Sequence, residues 1–168
     1  KPAKVPFSVN GDPAKVNSPD TWSDFQSAVK AYKSGQFQGV GFVFTDTPFV
    51  GIDIDNCIDL KTGEISTAAS EIMETAKSYT ELSQSGSGFH IILRGELPQG
   101  RKRKGPFEMY GNGSPRYFAM TGNRWGAYTT IRESQNDINA IHQKYIADQK
   151  QDKANEPKPA SLTDAQVI

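Results

Sequence analysis

The sequence predicts an α+β domain in which a mostly antiparallel sheet is flanked by helices. Two observations carry this prediction. Short apolar runs rich in Val, Ile and Phe, bounded by Gly, Pro, Ser and Asp, indicate strands. Between them lie segments whose apolar residues recur with the helical period. Strands and helices intermix along the chain, and we see no internal repeat.

The front of the chain is predicted to be loop followed by one helix. Residues 1–17 are rich in Pro, Gly, Asn and Lys, with room for one short strand at most. A helix is expected over Ser18–Ser34, because Pro19 suits the first helical turn and Gly35 suits the far end. One face of this helix should be buried, since its apolar residues follow the 3.6-residue period: Trp22, Phe25, Ala28, Val29 and Tyr32.

Two strands and a second helix are expected next. The apolar runs 39–44 and 49–55 are separated by the turn residues Thr45-Asp46-Thr47-Pro48, and together they predict a β-hairpin. Ser66 begins a helix that should reach about Ser78. Its inward-facing residues are expected to be Ile72, Met73 and Ala76.

Three further strands and a last helix complete the domain. The strands are predicted at Phe89–Arg94, Phe107–Tyr110 and Arg116–Met120. Ser134 suits the N-cap of a helix with one apolar stripe, formed by Ile138, Ile141, Tyr145 and Ile146. We therefore expect one domain over residues 1–147. Residues 148–168, rich in Gln, Lys, Asp, Pro and Ala, are predicted to be a flexible linker or tail toward a further region.

Composition excludes several classes of protein. Of 168 residues, 19 are basic and 19 acidic, so the net charge is zero and nucleic acid cannot be bound by bulk attraction. A single cysteine, Cys57, excludes an internal disulfide and a Cys-rich zinc site, and it suits a reducing cytosol. No apolar run approaches the roughly 20 residues of a membrane span, and no signal-peptide pattern opens the chain. We therefore expect a cytoplasmic protein without a membrane partner.

The sharpest chemical feature is the acidic pair Asp53 and Asp55. Residues two apart on a strand share a face, so both carboxylates should point one way while Ile52 and Ile54 point into the core. Two adjacent carboxylates repel each other unless a cation lies between them, and Mg²⁺ or Mn²⁺ takes such oxygen ligands. The alternative is a strand end with solvated acids.

A Gly/Ser loop precedes the strand that carries His90. Backbone amides of Ser85, Ser87 and Gly88 could form a nest for phosphate, and the His90 imidazole could contact phosphate oxygens. The alternative is that His90 is purely structural.

Charged residues later in the chain offer further contacts. Glu108, between apolar residues, could be a third metal ligand, or it could pair with the upstream basic run. Arg116 could grip a triphosphate or close a surface salt bridge. The basic run is either a nucleic-acid contact or a solvated loop, and it consists of Arg101, Lys102, Arg103 and Lys104.

In this order the motifs resemble the archaeo-eukaryotic primase superfamily, and within it the phage and plasmid primase-polymerases (the bifunctional DNA primase/polymerase N-terminal domain). The resemblance runs from about Lys4 to Tyr145. It is carried by Val50–Asp55, by 79–83 with 85–90, by Phe107–Tyr110, and by Arg116–Phe118 with Thr121 and Gly122. It implies an RRM-like catalytic core. The third acid is Glu108 where many members have Asp.

The resemblance also implies roles for individual residues. Asp53, Asp55 and Glu108 would be catalytic and would bind two divalent metal ions, Mg²⁺ or Mn²⁺. The incoming nucleotide would contact His90, the loop residues and two cations (Ser85, Ser87, Gly88, Arg116 and Lys4). The basic run 101–104 would contact the DNA template backbone.

The implied activity is template-directed nucleotidyl transfer on DNA, as a primase, a polymerase or both. Its partners would be a DNA template and primer, dNTPs or NTPs, and a helicase or helical priming domain in the full-length protein. The setting would be phage, plasmid or mobile-element replication in the host cytosol.

Other functions compete with this one. A metal-dependent nuclease could use the same acids, and an inactive nucleic-acid-binding module could keep the fold. A rolling-circle initiator needs paired histidines, whereas this chain has His90 and His142 far apart. A glycosyltransferase with a DxD motif would bind a nucleotide sugar and ignore DNA.

Overall fold

Eight strands and three α-helices make up the protein in a computed structural model that describes residues 4–148. The helices are α1 (Phe25–Lys33), α2 (Thr67–Ala76) and α3 (Gln135–Tyr145). The strands are β1 (Val40–Val43), β2 (Phe49–Ile54), β3 (Thr80–Leu82), β4 (Phe89–Arg94), β5 (Arg103–Lys104), β6 (Phe107–Tyr110), β7 (Tyr117–Met120) and β8 (Arg132–Glu133). A 3₁₀ turn, Pro19–Thr21, precedes α1.

The strands form two sheets. Six strands build the main sheet in the order β3-β4-β2-β6-β5, with β8 beside β4, and β1 pairs with β7 in a small sheet. All these pairings are antiparallel except that of β4 with β8. The predicted α+β class with a mostly antiparallel sheet is therefore confirmed.

The hydrophobic core lies between one face of the main sheet and the helices α2 and α3. Alternate residues of β2 and β4 point into it, as the strand period requires, namely Val50, Ile52 and Ile54 with Phe89, Ile91 and Leu93. Helix residues cover them, chiefly Ala69, Ile72, Ala76, Ile138 and Ile141. Each large side chain buried here stabilises the fold by about 1.5–3 kcal/mol. The residues between them point to the opposite face of the sheet.

The small sheet packs on that opposite face, above Gly51. The rings of Phe44 and Phe118 meet edge to face there, with centroids 4.8 Å apart. A Cβ on Gly51 would lie 2.3 Å from Phe44 Cζ and 2.5 Å from Phe118 Cε2, so only a hydrogen fits. Glycine at this position is what lets the small sheet approach β2.

The predicted hairpin between residues 39–44 and 49–55 is wrong. β1 pairs with β7, whereas β2 pairs with β4 and β6. The segment between them carries Asp46 in the left-handed region (φ 55°) and takes the chain from the small sheet to the main one. Apolar runs identify strands, but they do not say which strand pairs with which.

The first helix is shorter and more exposed than predicted. It begins at Phe25, capped by the Asp24 carboxylate, which accepts from Ser27 N. None of its residues is fully buried, and Phe25 is 76% exposed. The predicted buried face is therefore wrong, because α1 lies beside the small sheet and not between two layers. Trp22 precedes the helix and donates from Nε1 to the Lys15 carbonyl.

The other two helices agree with prediction. Ser66 caps α2 and Ser134 caps α3, each accepting from a backbone amide three residues on. The sequence analysis missed three strands of two or three residues each: β3, β5 and β8. No helix within residues 4–148 is long and apolar enough to cross a membrane. Residues 149–168 lie outside the described range, so the linker over 148–168 and the domain boundary near 147 stay predictions.

Candidate active site

Five side chains form a row across the face of the main sheet that lies opposite the helices, one from each of five neighbouring strands. Glu81 on β3 lies opposite His90 on β4, and His90 lies opposite Asp53 on β2. Asp53 in turn lies opposite Glu108 on β6, and Glu108 opposite Arg103 on β5. Directly opposed residues of antiparallel strands share a face and touch. The row therefore brings together residues from five strands of the chain.

Glu81, at one end of the row, is fully buried, with 0% of its surface exposed. Its carboxylate oxygens are contacted by His90 Nδ1 at 3.0 Å, Thr121 N at 3.0 Å, Gly122 N at 2.9 Å and Tyr79 OH at 2.8 Å. Burial alone would raise the pKa of Glu81, but these hydrogen bonds outweigh it and hold the pKa below its ordinary value. Glu81 is therefore an ionised carboxylate inside the protein.

His90 is held in one orientation. Its ring stacks on Phe118 with centroids 4.2 Å apart and planes 8° from parallel, and the residue is only 2% exposed. Nδ1 faces Glu81, while Nε2 lies 3.9 Å from Asp53 Oδ1. The second ring nitrogen is thus the one that faces the acids.

Asp53 occupies an environment that disfavours its charge. Burial raises the pKa of this carboxyl to about 6, the charge of His90 acts against the shift, and the nearby Asp55 and Glu108 add to it. The charge of Lys4 lowers the pKa of Asp53. A carboxylate with this perturbation beside two further acids is typical of a functional site.

Asp55 follows the end of β2, and its backbone amide donates to Pro106 O at 2.9 Å. The Gly/Ser loop packs against it: a Cβ on Gly88 would lie 2.4 Å from Ile54 O and 3.4 Å from Asp55 Cα. The hydroxyls of Ser85 and Ser87 lie 3.0 Å from each other. The loop thus lies next to the acidic pair, with its hydroxyls turned toward one another.

Glu108 pairs with a cation of the basic run, as the alternative interpretation expected, and it also has a tyrosine partner. Arg103 Nε lies 3.0 Å from Glu108 Oε1, and Tyr110 OH donates to Oε2. Elsewhere in the basic run, Arg101 pairs with Asp148 at 2.7 Å, and Lys102 donates to a backbone carbonyl. The side chain of Lys104 forms no hydrogen bond or salt bridge with a residue of the range 4–148.

A cleft of about 550 Å³ lies between the main sheet, the small sheet and the N-terminal loop. Asp53 and His90 line it from the main sheet, and three cations line it from the other segments: Lys4, Lys15 and Arg116. Of the predicted nucleotide contacts, the cleft thus joins Lys4, His90 and Arg116. The loop residues 85–88 and the basic run 101–104 are not among its lining residues.

The donor set suits a hard divalent cation, but its side chains are not gathered into a ligand cluster. Asp53, Asp55 and Glu108 supply the carboxylate oxygens that Mg²⁺ and Mn²⁺ take, and their mutual repulsion would be relieved by a cation. Within residues 4–148, however, no group of three His, Cys, Asp or Glu side chains is arranged to hold a metal ion. Arg103 and Tyr110 occupy the Glu108 oxygens. The two-metal site stays a prediction.

Several residues of the site were missed by the sequence analysis. Lys15 lies in a loop without a pattern, and Tyr110 and Phe118 were taken as ordinary strand residues. Glu81 did carry a signal, because it is an acid between Thr80 and Leu82, and acids are rare inside strands. The same argument had singled out Asp53.

Comparison with known proteins finds a relative in a phage. No family model matches the chain. The chain is 34% identical over 138 residues to a DNA primase-polymerase of Nitratiruptor phage NrS-1. The match covers 77% of this chain but 19% of the phage protein, so the chain spans about a fifth of that relative's length. The chain is therefore related to the matched part of a phage primase-polymerase.

Proposed function

We propose that this chain joins nucleotides on a DNA template, as the catalytic part of a primase, a DNA polymerase or both. The observation that carries the proposal is the cleft, where Lys4, Asp53, His90 and Arg116 meet although they lie far apart in sequence. The related phage protein is named a DNA primase-polymerase, which points to the same chemistry.

The shape and charge of the cleft suit a nucleoside triphosphate. Its volume of about 550 Å³ falls in the range of small-molecule sites, about 300–1,000 Å³. Lys4, Lys15 and Arg116 give the lining three positive charges, and Asp53 is the acid among its residues. The guanidinium of Arg116 makes no hydrogen bond or salt bridge with the residues of the range 4–148, so its fork is available to a phosphate. We propose that these cations and His90 bind the phosphates of the incoming nucleotide.

Asp53 and Asp55 are the proposed metal ligands, with Glu108 as the third. Bound Mg²⁺ or Mn²⁺ ions would activate the primer 3′ hydroxyl and stabilise the departing pyrophosphate. For Glu108 to take part, its carboxylate has to leave Arg103, whose side chain is 69% exposed and can move aside. Asp53 contributes a carboxylate that is ionised above about pH 6 and lies beside both other acids.

DNA contacts are proposed at the basic run 101–104. Lys104, at the edge strand β5, can reach a template phosphate, and Arg101 and Arg103 can join it by exchanging their present acidic partners for phosphates. Because the chain has no net charge, its own affinity for DNA should be weak and strongly salt-dependent. A helicase or helical priming domain in the full-length protein belongs to this proposal as the source of further affinity.

Primer extension tests the function directly. A labelled DNA primer on a template is incubated with the chain, dNTPs and Mg²⁺ or Mn²⁺, beside the variant Asp53→Asn/Asp55→Asn. Extension by the wild type and loss of it in the variant is the expected result. The control Asp20→Asn/Glu74→Gln removes two acidic charges from exposed positions outside the site, and it should extend normally.

Two outcomes would contradict the proposal. Degradation of the primer in the absence of dNTPs would indicate a nuclease. A folded wild type that neither extends the primer nor binds dNTP in either metal would show that the cleft serves another ligand.

A further inference from the structure

We propose that Glu81 is a positioning residue of this site: it fixes a proton on Nδ1 of His90 and so directs Nε2 into the cleft. The inference deepens the proposed function and rests on it only for what Nε2 meets there: a phosphate of the incoming nucleotide, to which Nε2 donates when the imidazole carries both protons and Nδ1–H is held by Glu81. The arrangement of the hydrogen bonds around Glu81 carries it.

The number of donors around Glu81 determines where the His90 proton lies. Oε1 accepts from Thr121 N and faces His90 Nδ1, and Oε2 accepts from Gly122 N and from Tyr79 OH. The two backbone amides can only donate, and an ionised carboxylate can only accept. A hydrogen bond at 3.0 Å to this carboxylate therefore requires Nδ1 to carry the proton.

The remaining nitrogen has its direction fixed by the same contacts. Phe118 holds the plane of the ring at 4.2 Å, and a half-turn of the ring would keep this stacking but break the contact between Nδ1 and Glu81. Nε2 then faces Asp53 at 3.9 Å, and His90 lines the cleft. Glu81 touches no part of the cleft itself, so it acts through His90.

Glu81 also fixes the strand that carries the stacking ring. Thr121 and Gly122 directly follow β7, which contains Phe118 and begins beside Arg116. The Glu81 carboxylate therefore fixes the position of the His90 imidazole relative to β7.

Glu81→Gln separates the two roles because it keeps the size of the side chain. A glutamine brings an NH₂ group into a position where both backbone partners donate, so one of these bonds is lost. The amide no longer requires a proton on Nδ1 of His90. The matched control is Tyr79→Phe, which removes one donor to Oε2 and leaves the bond to His90 untouched.

Nitrogen-15 NMR of the imidazole groups shows which ring nitrogen carries the proton. The chain has two histidines, and His142, whose Nε2 lies 2.7 Å from the Arg101 carbonyl, serves as an internal reference. We expect a protonated Nδ1 on His90 in the wild type and in Tyr79→Phe, and a mixture of tautomers in Glu81→Gln, with His142 unchanged. Affinity for dATP with Mg²⁺ should fall about 10-fold or more in Glu81→Gln and stay near wild type in Tyr79→Phe.

A wild-type spectrum without a proton on Nδ1 of His90 would overturn the inference, and this test needs no variant to fold. An unchanged tautomer together with unchanged dATP affinity in Glu81→Gln would overturn it too. Failure of the proposed function looks different. The Nδ1 proton and its dependence on Glu81 would be present, yet the wild-type chain would extend no primer.

Discussion

Asp53 on β2 and Glu108 on β6 lie directly opposite each other across the main sheet. Like charges in directly opposed positions destabilise a sheet. Burial adds to this cost at Asp53, whose pKa rises to about 6. The pair is therefore a source of instability in the free protein and a source of attraction for a cation, and both properties can be measured.

The first prediction concerns pH. The pKa of Asp53 in the folded protein, about 6, lies above its ordinary value of 3.8, so the folded state binds this proton more tightly than the unfolded state. The stability that the proton contributes is complete below about pH 4 and is lost as the pH rises through about 6. Asp53→Asn, which mimics the protonated acid, should then raise the free energy of unfolding at pH 7 by on the order of 2 kcal/mol and leave it nearly unchanged at pH 4.

Urea denaturation of both proteins in EDTA, at several pH values between 4 and 7, measures this difference. If Asp53→Asn raised the free energy of unfolding equally at all pH values, the effect would not come from the charge of Asp53.

The second prediction concerns the competition for Glu108. Arg103→Gln removes the cation that now pairs with this carboxylate. Because an exposed salt bridge contributes at most about 1 kcal/mol, Mn²⁺ affinity should rise by up to about 5-fold. Isothermal titration with Mn²⁺ measures it, and Lys104→Gln serves as the control because it removes an equal charge from the next residue. A weaker affinity in Arg103→Gln would mean that Arg103 supports the metal site.

The third prediction concerns Arg116. Replacing it by alanine removes a charge-assisted phosphate contact, so the Kd for dATP should rise about 10- to 100-fold. The Kd of Arg116→Lys should lie between those of the wild type and of Arg116→Ala, since lysine keeps the charge but lacks the planar guanidinium. Titration of each variant with dATP and Mg²⁺ gives the values, and Arg94→Ala removes an exposed arginine outside the cleft as a control. Equal affinity in all variants would place the phosphates elsewhere.

The fourth prediction concerns the contact between the two sheets. Gly51→Ala would place a Cβ within 2.5 Å of the Phe44 and Phe118 rings, so the small sheet has to move away from β2. We expect the free energy of unfolding to fall by about 1–3 kcal/mol. Gly39→Ala is the matched control, because nothing lies within 4 Å of its added carbon. Urea denaturation measures the stability of both variants. Equal stability would show that the Phe44 and Phe118 rings can move aside without loss of stability.

The sequence predicted those parts of the fold that depend on local periodicity. The strand Phe89–Arg94 and the caps Ser66 and Ser134 were found because alternation, helical period and capping chemistry are read over a few residues. Strand pairing depends on residues far apart, so the partner of β1 was assigned wrongly. The exposure of Phe25 has the same origin, since the apolar period of a helix does not show what covers it.

The sequence pointed to four residues of the candidate site, because polar residues within apolar strands are conspicuous: Asp53, Asp55, His90 and Glu108. Glu81 was noticed only as part of a motif, since nothing local indicates that its carboxylate meets the imidazole and two amides from forty residues further along. Lys15 shows no signal at all, as its place in the cleft follows from the path of a loop.

The row of five polar residues across the sheet also affects how the chain reaches its native structure. Moving any of the central strands by one position would turn its row member toward α2 and α3 and bring an apolar partner into water. A carboxylate or imidazole placed unpaired among Ile52, Ile91 and their neighbours would cost several kcal/mol. Misaligned sheets are thus penalised at several strands at once. The residues proposed for catalysis and binding therefore also favour the native strand register during folding.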